Sequence, residues 1–66
     1  MSSTVDKLKN FGNGASAHTA NKCAFYIEMC IEKGKDKLRV ELEELANRAM
    51  ESGDWRELAM RMKSWW

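Results

Sequence analysis

The sequence predicts an all-α fold, because three of its features favour helices and none favours strands. Its 66 residues contain no proline, the residue that most strongly interrupts a helix. Apolar residues recur at the spacings of an amphipathic helix, and no segment shows the alternation of a strand. The four glycines fall where these helical patterns stop, as expected of C-terminal caps. Residues 1–66 are therefore expected to form a single small helical domain, with a short N-terminal helix and a three-helix bundle that resembles a helical hairpin.

The first predicted helix is short and runs from Ser3 to Phe11. It opens with Ser3 three residues before Asp6, which is an N-terminal capping pattern. Val5, Leu8 and Phe11 then follow at helical spacing. A helix of about two turns is marginal in isolation, so this one is expected to lie against the others.

The second predicted helix runs from about Ala17 to Lys33, after a glycine-rich turn. One apolar stripe at helical spacing is expected to face the core: Ala20, Cys23, Ala24, Ile27 and Ile31. Phe25 and Met29 are one turn apart and lie on roughly the opposite side. This helix is therefore apolar on more than one face.

The third predicted helix follows Gly34, with Asp36 as its cap, and ends near Ser52. It is the most regular amphipathic helix of the chain, with the following inner stripe: Leu38, Leu42, Leu45, Ala46 and Ala49. Its outer face carries charge pairs at the i, i+4 spacing, each worth a few tenths of a kcal/mol: Arg39 with Glu43, and Glu44 with Arg48.

The fourth predicted helix follows Gly53 and opens with an acidic form of the capping box, Asp54-Trp55-Arg56-Glu57. Its apolar stripe is rich in tryptophan: Trp55, Leu58, Ala59, Met62, Trp65 and Trp66. A small bundle would use this stripe as core, so packing is the first interpretation of the tryptophans.

Composition argues against several classes of function. The 11 basic and 10 acidic residues leave a net charge of +1, whereas a nucleic-acid-binding domain is usually strongly basic. The lysines around Gly34 are interpreted as a solvated loop. No apolar run approaches the roughly 20 residues that span a bilayer, and the opening residues lack the apolar core of a secretory signal. Neither a nucleic acid nor a membrane is expected as a partner.

The cysteines and the single histidine indicate neither a disulfide nor a metal site. Cys23 and Cys30 lie seven residues apart on one predicted helix, which separates their Cα atoms by about 10 Å. A disulfide requires less than about 7 Å, so the two cannot pair within one intact helix. We expect free thiols and a reducing cytoplasm, with a disulfide between two copies as the alternative. With His18 as the one histidine, no zinc ligand set and no nucleophile–base pair can be assembled. We therefore expect no cofactor, no metal and no enzymatic activity.

The apolar residues exceed what one small bundle can bury, and this excess favours an interaction protein. Exposed aromatic and methionine side chains are enriched at protein interfaces. The residues expected to serve as core or as partner contacts are Phe25, Met29, Trp55, Met62, Trp65 and Trp66. The partner would be a second copy, giving a homo-oligomer, or a foreign protein. In size and class the chain is similar to small virus-encoded inhibitors or adaptors that occlude a host protein, although no motif carries this analogy.

A second hypothesis places an anion at the start of the second helix. Free amides and the helix dipole favour negative charge at such an end, and the residues that could bind it are Gly12, Gly14, Ser16, His18, Thr19 and Lys22. An oligomer could then bind a phosphorylated small molecule or nucleotide there. The phosphate-binding loop pattern that ends in Gly-Lys-Ser/Thr is not matched, and a plain turn between helices would use the same residues.

Overall fold

The helices lie close to where the sequence predicts them. The computed structural model describes residues 3–11 and 14–64, without the side chains at 15 and 16. Within these ranges the elements are α1 (Ser3–Lys9), α2 (Ala15–Lys33), α3 (Asp36–Ser52) and α4 (Arg56–Lys63), and no strand occurs. The prediction of an all-α bundle with a short first helix is confirmed. None of these helices combines the length and hydrophobicity that a membrane span requires.

Two glycines end α2 and α3 in the left-handed conformation that favours this residue. Gly34 has a φ of 70°, and its amide donates to the Ile31 carbonyl at 3.3 Å. The next amide, of Lys35, donates to the Cys30 carbonyl at 2.8 Å, which completes a Schellman motif. Gly53 has a φ of 79° and forms the simpler single bond to a carbonyl four residues back. The predicted C-terminal ends of α2 and α3 are therefore confirmed, whereas α1 ends at Lys9 and not at the predicted Phe11.

The predicted N-terminal caps are largely wrong. Asp36 is the first helical residue of α3, and the preceding Lys35 forms no side-chain capping bond. Asp54 does accept the Arg56 amide, at 3.1 Å, but it lies one residue before the cap position of α4. Glu57 does not complete a capping box, because its carboxylate binds Arg48 at 3.1 Å. Arg48 therefore pairs across to α4 instead of with Glu44, while the predicted pair of Arg39 and Glu43 is present.

The core lies between α2 and its neighbours. Helix α2 packs against α1 and α3, α1 also touches α3, and α4 packs mainly against α3. The largest fully buried side chains come from every helix: Leu8, Cys23, Ile27, Leu42 and Leu58. Ile31, expected in the inner stripe of α2, is 49% exposed, whereas Cys30 is buried. The buried stripe of α2 therefore ends at Cys30 and does not include Ile31.

The short helix α1 is held by specific contacts as well as by burial. Val5 and Leu8 lie in the core. At the edge, Lys9 pairs with Glu28 of α2 at 3.0 Å. After α1, the Phe11 ring lies 5.0 Å from that of Trp55, at a tilt of 58°. These contacts explain how a helix of two turns is maintained without intrinsic stability.

Leu8→Ala tests whether α1 is an integral part of the domain. Leu8 is completely buried, and removing such a side chain from a core costs about 2–5 kcal/mol. We expect Leu8→Ala to lower the free energy of unfolding by that amount in urea titrations followed by circular dichroism. Lys7→Ala changes an exposed neighbour and should cost less than about 0.5 kcal/mol. Equal unfolding midpoints for the two variants would show that α1 contributes no stability.

Gly34 allows a test of backbone conformation alone, since a Cβ atom there would meet no heavy atom within 4 Å. L-Alanine at this left-handed position should cost about 1–2 kcal/mol. D-Alanine, introduced by chemical synthesis, fits the conformation and should instead stabilise the domain by about 0.4–1 kcal/mol through the unfolded state. Thermal unfolding of the two synthetic proteins measures the difference. The same midpoint for both epimers would refute the role of the left-handed turn.

Candidate interaction surface

The side of α2 that faces away from the core carries three apolar side chains, one exposed and two half-buried. Phe25 is 61% exposed, and Met29, one turn later, is half-buried. The Phe25 ring lies 6.2 Å from the half-buried ring of Tyr26, at a tilt of 54°. We call Phe25, Tyr26 and Met29 the α2 outer face. The helical period creates this face, because Phe25 and Met29 are one turn apart on the side opposite the buried stripe, with Tyr26 at its flank.

A groove continues from the α2 outer face toward α3. Its lining residues, which we call the α2–α3 groove, are Tyr26, Met29, Cys30, Lys33, Lys35 and Leu38. The open volume is about 440 Å³. Tyr26 and Met29 belong to both surfaces, so an occupant of the groove would also contact the α2 outer face. The middle of the groove is apolar, and the two lysines lie near the Gly34 turn.

Both cysteines are free thiols, as predicted, and both are buried. Burial raises the pKa of the Cys23 thiol to about 12, and the neighbouring Cys30 acts in the same direction. Burial also raises the pKa of Cys30, while the positive charges of Lys35 and Arg39 act to lower it. Neither thiol is therefore ionised near neutral pH, and of the two it is Cys30 that reaches the groove.

A second groove lies between α3 and α4 and is strongly charged. Its lining includes Leu45 and Met60, of which Met60 is 73% exposed. Arg61 pairs with Glu41 at 2.7 Å, and the pair of Arg48 and Glu57 also lines it. Both arginines of this groove are thus paired across the two helices, and its remaining charged residue is the acidic Glu44. Two further exposed apolar residues, Ile31 and Val40, line neither groove.

The residues predicted as partner contacts divide into three groups. Phe25 and Met29 lie on the α2 outer face, while Trp55 and Met62 are buried, at 9% and 4% exposure. The latter two are core residues, which is one of the two roles that the sequence left open. Trp65 and Trp66 lie outside the described residues. Helical periodicity alone does not identify Tyr26 or Leu38 as part of a surface; the two-residue turn between α2 and α3 brings them together.

The proposed anion site is only partly described. Gly12 lies outside the described residues, and for Ser16 only its place in α2 is known. Gly14 precedes α2 with a φ of 93°, and His18 and Lys22 are exposed one turn apart. Thr19 lines a shallow depression with Gly53, Asp54 and Arg56, among others.

The nearest arginine to that depression is already neutralised. Arg56 donates two side-chain hydrogen bonds to the Asp54 carboxylate, each of 3.1 Å. These bonds lower the pKa of Asp54, with the bond from the Arg56 amide as a second cause. The carboxylate would repel a phosphate at this position. Within the described ranges, no three His, Cys, Asp or Glu residues are grouped so that they could hold a metal ion.

Comparison of the chain with protein-family models, with curated proteins and with solved structures gives no match. Function therefore has to be inferred from the chemistry of the surfaces.

The two thiols should differ in their rates of modification. In single-cysteine variants at pH 8, we expect Cys30 (in Cys23→Ala) to react with a disulfide reagent several-fold faster than Cys23 (in Cys30→Ala). Cys30 lines the groove beside Lys35, whereas Cys23 is exposed only when the domain opens. Urea near the unfolding midpoint should then increase the modification rate of Cys23 by a larger factor than that of Cys30. Equal rates without urea would contradict the placement of Cys30 at the groove.

Proposed function

We propose that the protein is a non-enzymatic interaction module that binds another protein through the α2 outer face. The exposure of Phe25, at 61% on the longest helix, is the observation that carries the proposal. An aromatic side chain contributes a large apolar area on burial, and interface energy is concentrated in a few residues of this kind. Such a module would act as an inhibitor or adaptor by covering a surface of its partner. A virus-encoded origin remains a prediction from size and class.

The construction of α2 supports this role. Its inner stripe is held in the core, so the outer face is presented by a helix that is already ordered. Binding through a preformed surface avoids much of the entropy cost of ordering a loop or tail. Met29 next to Phe25 adds a flexible apolar side chain that adapts to different partner shapes. Trp65 and Trp66 remain predicted contacts from the sequence alone.

The alternative, an oligomer that binds a phosphorylated small molecule at the start of α2, has weaker support. His18 and Lys22 are placed on one side of the first turns of α2. The adjoining depression, however, contains a carboxylate, Asp54, whose partner Arg56 is already bound to it. The protein-binding proposal is favoured for this reason.

Phe25→Glu should abolish binding while leaving the fold intact, because Phe25 lies outside the core. Loss of an interface hot spot costs about 2 kcal/mol or more, which corresponds to about thirtyfold in Kd. The measurement is native mass spectrometry of the protein recovered from cells that naturally express it. Wild type should carry a partner chain, and Phe25→Glu should be recovered without it.

Met60→Glu is the matched control, since it places the same charge on a side chain that is even more exposed, at 73%, on α4. It should retain the partner, and both variants should keep the wild-type circular dichroism spectrum. Recovery of wild type as a bare monomer would refute the interaction proposal. Equal loss of the partner in both variants would contradict its assignment to α2.

A further inference from the structure

We propose that the α2–α3 groove binds an acidic segment of the partner protein, whose apolar side chain lies against Met29 and Leu38 and whose carboxylates pair with Lys33 and Lys35. This inference rests on the proposed function and adds the site and the chemical class of the partner. The groove has the size of a binding site, about 440 Å³, and binding sites commonly have volumes of about 300–1,000 Å³. A groove between two helices is also a common receptor for a short amphipathic segment.

The charge of the groove selects an acidic occupant. Both charged residues of its lining are lysines. Neither Lys33 nor Lys35 belongs to an ion pair of the described residues. The acidic residues nearest in sequence, Glu32 and Asp36, do not line the groove. The charged side chains that line the groove are therefore both positive, and carboxylates beside an apolar anchor would complement them.

The Cys30 thiol lies in the groove beside the same Lys35 charge. Although burial raises its pKa, the positive charges of Lys35 and Arg39 act in the opposite direction. Of these two charges, Arg39 is paired with Glu43 and does not line the groove, so Lys35 is the one available to an occupant.

A second copy and a membrane fit these observations less well. A symmetric dimer through this groove would place the lysines of both copies in one interface, and an excess of like charges in an interface is costly. An anionic membrane surface attracts clusters of about 4–8 basic residues, whereas the groove contributes two and the chain has a net charge of +1. An acidic protein segment matches the size, polarity and charge together.

The test begins with selection from a random phage-displayed library of 12-residue peptides against the immobilised wild-type protein. We expect enriched peptides to combine Asp or Glu with a nearby aromatic or aliphatic residue. Fluorescence anisotropy of the labelled peptides should then show at least about tenfold weaker binding to Lys33→Glu/Lys35→Glu, since two charge pairs are lost. The control variant Lys7→Glu/Lys63→Glu changes the net charge by the same amount at exposed positions outside the groove. It should bind the labelled peptides as tightly as wild type does.

A charge swap separates recognition from damage to the fold. A selected peptide with its acidic residues changed to lysine should bind Lys33→Glu/Lys35→Glu more tightly than wild type. Failure to select any peptide, selection without acidic residues, or equal loss in the two double variants would overturn the inference. Two further results would also overturn the inference. One is a wild-type dimer in sedimentation analysis that Lys33→Glu/Lys35→Glu abolishes and the control double variant does not. The other is binding to phosphatidylglycerol vesicles that shows the same dependence.

The two levels of the proposal fail in different ways. If native wild type carries a partner that Lys33→Glu/Lys35→Glu retains, and no acidic peptide is selected, the groove assignment is wrong and the interaction module remains. If wild type carries no partner, the proposed function itself is refuted.

Discussion

The packing of α1 and α3 against the small side chains of α2 is the contact on which the rest of the structure depends. Helix α2 is the longest element and packs against both neighbours. The separation of packed helices depends on the side chains at their contact, and small residues allow a close approach. The buried stripe of α2 consists of Ala20, Cys23, Ala24, Ile27 and Cys30. All of these except Ile27 are small. Larger side chains enter from the other helices, among them Leu8 and Leu42.

This arrangement also explains why α2 has an uncovered side. With α1 and α3 on its small-residue stripe and α4 packed mainly against α3, no described helix remains to cover Phe25. A chain of 66 residues buries only about 60% of the surface that its unfolded form exposes. Some exposed apolar side chains are thus expected in a chain of this size. The neighbouring side chains of Phe25, Tyr26 and Met29 differ from single exposed residues because together they form a continuous surface on an ordered helix.

The sequence predicts the helix ends best where they depend on backbone conformation. Gly34 and Gly53 mark ends because their positive φ angles are costly for other residues. The N-terminal ends are less predictable, since α3 begins after Lys35 without a side-chain cap. Periodicity likewise identifies Phe25 and Met29 as lying opposite the core. It could not assign Trp55 and Met62 to core or surface, because that depends on where the short α4 packs.

The two grooves show why the pairing of charges matters more than their number. In the α3–α4 groove, Arg48 and Arg61 already bind Glu57 and Glu41, so a charged partner would have to break existing ion pairs. Lys33 and Lys35 are exposed to water, and a carboxylate would replace only water around their ammonium groups. From the sequence alone, these lysines are interpreted as part of a solvated loop. The Schellman turn at Gly34 changes their context, because it reverses the chain so that both border the apolar side chains of α2 and α3.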